Sequence, residues 1–118
     1  MLYRRKKTWQ NLIDIYHCTI DINNGDTIQN IVNQIVEDLG LHSIKQIKYF
    51  FPNQGITSVD ILSESHLIIH TWPEFKYVSI DLFSCSKKLK ISKKYFKTIF
   101  KAKKIICKNL KHKISISE

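Results

Sequence analysis

The residues best suited to chemistry lie in the middle of the chain. Glu64-Ser65 stands between two runs of strand-forming residues, so the Ser65 hydroxyl should lie in a tight bend beside the carbonyl of Glu64. Backbone strain is often stored at functional turns of this kind. His66 and His70 follow, and Cys85 adds a thiol. A hydroxyl nucleophile, imidazoles and a thiol together indicate acyl chemistry and proton transfer.

The turn that follows Trp72 predicts how these residues face one another. If Trp72 lies opposite Tyr77, antiparallel counting fixes the pairing of the strands on either side. The resulting pairs are His70 with Ser79, Ser65 with Ser84, and Glu64 with Cys85. We therefore expect the serine, the thiol and both histidines at one end of a sheet.

Each residue also has an ordinary structural interpretation. Taken alone, His66 and His70 are typical of polar positions on a half-exposed strand. Cys85 alone is typical of a small buried hydrophobic residue, and Ser65 of a turn. The residue types therefore leave an active site as one hypothesis beside a purely structural one.

Periodicity predicts the elements that position these residues. Strands are predicted at residues 11–20, 43–51, 57–63, 66–72, 77–85 and 105–110. Apolar residues from Ile28 to Leu39 recur at helical spacing, with Asp26 or Thr27 as the cap and Gly40 as the stop. Ser92 caps a second helix. The order β-α-β-β-β-β-α-β predicts an α+β fold, a two-layer α/β sandwich whose mostly antiparallel sheet is covered on one face by two helices.

Composition restricts the class of protein. With 118 residues and 43% apolar content, the chain is predicted to form a single domain over residues 1–118. The chain lacks a run of about eighteen uncharged apolar residues and a secretory signal, so we expect a cytoplasmic protein without a membrane partner. Three cysteines without a C-x-x-C pair predict neither a disulfide framework nor a metal site.

The net charge of +9 raises the question of a nucleic-acid partner. Twelve of the nineteen basic residues lie between Lys87 and Lys113, and all twelve are lysines. Base recognition favours arginine, and single-strand binding needs exposed aromatic residues among the charges. We therefore predict a solvated lysine face and no nucleic-acid partner, with a basic nucleic-acid-binding module as the alternative.

One family shares this pattern of residues. Ser63-Glu64-Ser65-His66-Leu67, followed by His70-Thr71-Trp72-Pro73-Glu74, resembles the processing motif of bacterial and archaeal S-adenosylmethionine decarboxylase proenzymes. The stretch from Tyr77 to Cys85 resembles the family's catalytic-cysteine strand. Phe50 or Phe51 before Pro52, with Gly55 after it, resembles the preceding loop.

The resemblance implies that the chain cuts itself. In this family the hydroxyl matching Ser65 attacks the carbonyl of Glu64, which gives a β chain of residues 1–64 and an α chain of residues 65–118. The α chain then begins with a covalent pyruvoyl cofactor made from Ser65. His70 matches the proton-handling histidine of processing. Thr57 stands where the family usually has an assisting serine.

The resemblance also implies a substrate and a partner. The pyruvoyl ketone would form a Schiff base with S-adenosylmethionine and delocalise the electrons left by carbon dioxide, yielding the aminopropyl donor for spermidine. Cys85 matches the proton donor and Glu74 the residue that binds the ribose. Phe50 and Phe51 supply the aromatic side chain for the adenine or the sulfonium. A homodimer of processed protomers, with active sites near the interface, is expected.

Several positions depart from the family pattern. A usual glycine-x-histidine is Trp9-Gln10-Asn11 here, Lys76 and Ser86 replace usual glycines, and Asp60 stands at a usually apolar position that could face the substrate. Because an added carboxylate could bind a cationic side chain, a related pyruvoyl decarboxylase acting on ornithine or arginine is an alternative. An unprocessed, non-catalytic homologue is another.

Overall fold

A computed structural model describes residues 3–85 and 88–117. These residues form one six-stranded antiparallel sheet and two α-helices. The elements are β1 (Tyr3–Tyr16), α1 (Gly25–Asp38), β2 (Ser43–Phe50), β3 (Ile56–Leu62), β4 (Ser65–Trp72), β5 (Tyr77–Ser84), α2 (Lys93–Ile99) and β6 (Lys104–Ser117). A 3-10 turn at Pro73–Phe75 joins β4 to β5. The sheet order is β2-β3-β4-β5-β1-β6, so the predicted α+β class and element order are confirmed.

The core lies between the helices and one face of the sheet. Alternate residues of the strands are buried, as period-two burial on a one-sided sheet requires. They form one cluster with the apolar side of α1 and with Phe96 and Phe100 of the α2 region. The other side chains of the central strands point to the opposite face, called here the open face. Neither helix in the described residues is long and apolar enough to cross a membrane.

The helix caps are partly as predicted. Asn24, rather than Asp26 or Thr27, caps α1, because its side-chain oxygen accepts hydrogen bonds from both of their backbone N–H groups at 2.9 and 3.0 Å. An Asn at this position satisfies N–H groups that lack a partner within the helix. The predicted cap at Ser92 is confirmed by its 3.3 Å bond from the N–H of Tyr95.

The two outer strands differ from prediction. β1 begins at Tyr3 rather than residue 11 and ends at Tyr16 rather than residue 20, while β6 continues to Ser117 rather than residue 110. The two strands pair along their whole length, from Tyr16–Lys104 to Tyr3–Ser117. Backbone pairing therefore extends the strands through lysine-rich sequence that has low strand propensity. β1 stops because His17 adopts the left-handed conformation, with φ of 59°.

Candidate active site

The register of β4 and β5 is the one predicted from the turn. Trp72 pairs with Tyr77, and the pairs further along the strands follow from it. They are His70 with Ser79 and Ser65 with Ser84. The residue that follows β5 is therefore brought beside the turn between β3 and β4.

That turn holds the peptide bond between Glu64 and Ser65. Leu62 pairs with Ser65, so only Ser63 and Glu64 connect the two strands. Glu64 has φ of 59°, a left-handed conformation that costs a residue with a side chain about 1–2 kcal/mol. The N–H of Cys85 donates a hydrogen bond to the carbonyl oxygen of Glu64 at 3.1 Å. A donor in this position polarises the carbonyl and stabilises negative charge that develops on its oxygen.

His66 lies next to this turn on the open face. Its Nε2 is 3.4 Å from Oδ2 of Asp81, and its ring stacks on Phe83 with 5.2 Å between centroids. Gln10 donates to the other oxygen of the same carboxylate at 3.1 Å. This His66–Asp81 pair was not predicted, although the β4–β5 register pairs His66 with Phe83 and so places Asp81, two residues from Phe83 on the same face, diagonally across from His66.

His70 lies at the other end of β4. His70 is five positions from Ser65 along an extended strand, and at about 3.4 Å per residue this is a distance of roughly 17 Å. The prediction that both histidines gather at the end that holds Ser65 is therefore wrong for a single chain. His70 Nδ1 instead lies 2.9 Å from Oγ1 of Thr57, its partner across the β3–β4 pair.

His70 and Thr57 line a cavity of about 370 Å³. The other lining residues are Phe51, Pro52, Asn53, Gln54, Thr71, Trp72 and Glu74. The cavity thus contains two predicted substrate-binding residues, Phe51 and Glu74. The Glu74 carboxylate accepts a hydrogen bond from Gln54 at 3.0 Å. Aromatic, carboxylate and imidazole groups together suit a ligand with a cationic or hydroxyl-bearing part.

Phe50 does not line this cavity. Its ring lies against Gly25 at the start of α1, 2.8 Å from where a Cβ on that glycine would stand. Consecutive strand residues point to opposite faces, so only one member of the Phe50–Phe51 pair can reach the cavity. Of the two phenylalanines, Phe51 is therefore the one that lines the cavity.

An aromatic row extends from the cavity across the open face. The ring centroids of Trp72 and Tyr77 are 5.2 Å apart, and those of Tyr77 and Tyr16 are 5.1 Å apart. The hydroxyl of Tyr77 donates to Asp14 at 2.6 Å. Burial, and then this bond to the carboxylate, raise the pKa of Tyr77 to about 12. Tyr77 therefore stays protonated, and its ring packs beside Trp72, which lines the cavity.

Asp60 does not face the cavity, contrary to expectation. It lies among the buried residues on the helix-covered face, fully buried, and its Oδ2 accepts a hydrogen bond from Gln46 at 3.1 Å. Burial raises the pKa of its carboxyl group. Asp60 is thus a structural feature of the core, which removes the sequence reason for considering a basic amino-acid substrate.

The three thiols differ in their surroundings. Burial raises the pKa of Cys18 to about 11 and also raises the pKa of Cys107. Cys85 is half-buried beside the β3–β4 turn.

Among the other family departures, Lys76 adopts φ of 51°, a conformation that glycine takes without cost, while Ser86 lies outside the described residues.

Comparison with known proteins gives a consistent result. Residues 9–113 match the family model described as S-adenosylmethionine decarboxylase. The S-adenosylmethionine decarboxylase proenzymes of Clostridium botulinum (strain Loch Maree / Type A3) and Clostridium kluyveri are 38% and 40% identical over 77 and 79 residues. These alignments cover 64% and 66% of this chain, and 66% and 63% of those proteins, slightly less than two thirds of their length.

A solved structure shows the same fold. The crystal structure of the adenosylmethionine decarboxylase from Aquifex aeolicus VF5 superposes with a TM-score of 0.77 at 27% identity, covering 89% of each chain. The family match includes the β3–β4 turn, the Thr57–His70 cavity and the strand that leads to Cys85. This chain belongs to the S-adenosylmethionine decarboxylase family.

Proposed function

We propose that this chain is the precursor of a pyruvoyl-dependent enzyme that decarboxylates S-adenosylmethionine to the aminopropyl donor for spermidine synthesis in the cytoplasm. The observation that carries the proposal is the hydrogen bond from the N–H of Cys85 to the carbonyl of Glu64. It stands at a left-handed turn immediately before Ser65, in a chain that belongs to this family.

The first reaction is cleavage of the chain by its own residues. The Ser65 hydroxyl adds to the carbonyl carbon of Glu64, while the N–H of Cys85 stabilises the charge on the carbonyl oxygen. Breaking the C–N bond gives an ester and frees the amine of residue 65. Elimination then releases residues 1–64 with the Glu64 carboxylate, and addition of water with loss of ammonia leaves a ketone on residue 65.

The pyruvoyl group so formed would supply an electron sink for decarboxylation of an α-amino acid. The neighbouring residues fit such a group, because position 65 is half-buried and the residue after its strand partner Ser84 is Cys85. The Cys85 thiol is an acid close enough in sequence and register to return a proton to the product. A serine hydroxyl is a much weaker acid for this role.

The cavity around His70 provides the substrate-binding groups in this proposal. Glu74 would accept hydrogen bonds from the ribose hydroxyls. Phe51 would face the adenine or the sulfonium, and a cation over an aromatic ring contributes roughly 0.5–2 kcal/mol. The Thr57–His70 hydrogen bond orients the imidazole, so one ring nitrogen remains available for proton transfer.

Two chains are needed to unite these groups. The cleavage turn and the His70 cavity lie at opposite ends of β4, and the open face between them carries exposed apolar side chains. Ile47, Tyr49 and Ile61 are 50%, 56% and 43% exposed. We infer a homodimer in which two open faces stack about a twofold axis, so that the cleavage turn of one chain meets the cavity of its partner. A twofold arrangement forms both sites at once.

A side-by-side assay tests the substrate. The purified chain is incubated with carboxyl-labelled S-adenosylmethionine, ornithine or arginine, and released carbon dioxide is measured. We expect release only from S-adenosylmethionine and none with Ser65→Ala. Release from ornithine or arginine alone would support the related decarboxylase instead, and no release by a cleaved chain would reject both.

A further inference from the structure

A second cavity lies on the helix-covered side of the sheet, away from the residues proposed for catalysis. Its volume is about 320 Å³, within the roughly 300–1,000 Å³ of small-molecule sites. It is bounded by β1, β6 and the segment that leads into α2. Its polar and aromatic lining consists of Trp9, Asn11, Lys88, Lys90, Asn109 and Lys111, with apolar side chains completing the wall.

The electrostatic potential at this cavity must be positive. Three lysines line it, and no lining residue is acidic. The sequence from residue 82 to residue 117 contains twelve lysines and no Asp or Glu. Within the described residues, none of these lysines has a carboxylate within salt-bridge distance. Lysines that line one cavity without acidic neighbours attract anions, and lysine is a common phosphate ligand.

The floor of the cavity adds an aromatic surface and amide groups. Trp9 is half-buried and presents an indole on which a planar ring can stack. Asn11 is only 5% exposed, yet its side chain makes no hydrogen bond within the part of the chain that the structure describes. A carboxamide can donate to and accept from the edge of a heterocycle, as Asn does with adenine.

This combination of groups selects the ligand class. S-adenosylmethionine carries a cationic sulfonium, which three lysines would repel, so this cavity is distinct from the His70 cavity in its chemistry. We propose that it binds a nucleoside polyphosphate, with the base on Trp9 and Asn11 and the phosphates among Lys88, Lys90 and Lys111. The residues at Trp9 and Asn11 are those at which the chain departs from the family's usual glycine-x-histidine.

Calorimetric titration of the purified full chain tests the ligand class. ATP, adenosine and inorganic tripolyphosphate are titrated separately at about 150 mM salt, where diffuse electrostatic binding is weak. We expect ATP to bind at least tenfold more tightly than either adenosine or tripolyphosphate, because only ATP uses both parts of the cavity. Equal binding of tripolyphosphate and ATP would overturn the nucleoside assignment. Displacement of ATP by single-stranded RNA at much lower concentration would identify a polymer-binding surface and also overturn it.

Matched variants locate the binding. The triple variant K88Q/K90Q/K111Q removes three charges at the cavity, and K94Q/K97Q/K101Q removes three charges from α2 and its end. The first should weaken ATP binding at least tenfold and the second less than twofold; equal weakening would refute a defined site. Trp9→Leu should weaken ATP without weakening tripolyphosphate. Circular dichroism confirms that each variant is folded, and because titration needs no turnover, the result is independent of the proposed decarboxylase activity.

Discussion

The backbone N–H of Cys85 donates a hydrogen bond to the carbonyl oxygen of Glu64 at 3.1 Å, across the end of the β4–β5 pair. The cleavage proposed between Glu64 and Ser65 would therefore have an oxyanion-stabilising donor that does not depend on the side chain at position 85. In the same proposal the thiol serves the decarboxylation step. Cys85 would then act in two reactions, in the first through its backbone and in the second through its side chain.

The variant Cys85→Ser separates the proposed role of the backbone N–H in cleavage from the proposed role of the thiol in decarboxylation. Processing should continue, since the amide is retained, whereas turnover of the processed enzyme should fall at least tenfold because a hydroxyl is a poorer acid. Fragment analysis by gel measures the first effect, and carbon dioxide release measures the second. Cys107→Ser is the matched control and should change neither. Wild-type turnover in Cys85→Ser would show that the thiol is not the proton donor.

Of the four non-glycine residues with positive φ in the described part of the chain, Glu64 directly precedes β4 and Lys76 directly precedes β5, and these two give a second prediction. In the uncleavable Ser65→Ala background, Glu64→Gly and Lys76→Gly should each raise the free energy of unfolding by about 1 kcal/mol, because glycine adopts positive φ without strain.

In the chain with Ser65 intact, only Glu64→Gly should slow cleavage, by about fivefold, since about 1 kcal/mol of strain is no longer released at the scissile bond. Time courses of cleavage measure this. Equal rates for the two glycine variants would mean that strain at Glu64 does not assist cleavage.

Asp60 and Asp38 should affect stability with opposite dependence on pH. Burial raises the pKa of Asp60 in the folded state, so folding favours its protonated form, and the ionised carboxylate costs stability as pH rises through the folded pKa. Asp60→Asn should stabilise the protein at pH 7, by about 1 kcal/mol, and have little effect at pH 3.

The hydrogen bonds from Tyr95 and Gln34 lower the pKa of Asp38. The ionised Asp38 carboxylate therefore stabilises the fold above the pKa that it has in the unfolded state, and this stabilisation is lost as pH falls through its folded-state pKa. Asp38→Asn should lower the free energy of unfolding at pH 7 but not at low pH. Melting temperatures of both variants at pH 3 and pH 7, in the Ser65→Ala background, check the signs. Parallel pH profiles for the two variants would contradict the account.

If two chains share each active site as proposed, variants of the two chains should complement each other. His70→Ala should not process alone, and Ser65→Ala cannot. When the two are co-expressed with different affinity tags, the His70→Ala chain should be cleaved, because the partner supplies His70. In a comparison experiment, the His70→Ala chain is co-expressed with a His66→Ala chain. The His66→Ala chain keeps His70, and both chains keep Ser65. Failure of the Ser65→Ala chain to rescue cleavage would place His70 and the turn in the same chain.

The fold could be predicted from the sequence wherever a local sequence pattern determines the position of a helix or strand. The β4–β5 register could be counted from the turn after Trp72, since antiparallel pairing fixes every later pair. The ends of β1 and β6 could not be predicted from the sequence, because their extension depends on pairing between distant segments, and Lys-rich sequence gives no strand pattern.

The sequence could name the candidate site as a set of residues but not as an arrangement. The motif identified Ser65, Thr57, His70 and Cys85, yet a linear motif does not show that five extended residues separate a serine from a histidine by roughly 17 Å. The burial of Asp60 was also hidden, because only the alternation of β3 against α1 shows which face it occupies.

Self-cleavage between Glu64 and Ser65 is tested by the mass spectrum of the purified chain. We expect two fragments, residues 1–64 and residues 65–118, the second beginning with a group that reacts with a carbonyl reagent. Ser65→Ala should remain one chain, and Ser63→Ala, which removes the other hydroxyl of the same turn, should still be cut. A wild-type chain that stays intact and unlabelled, or that is cut as readily without the Ser65 hydroxyl, would contradict self-cleavage at Glu64–Ser65.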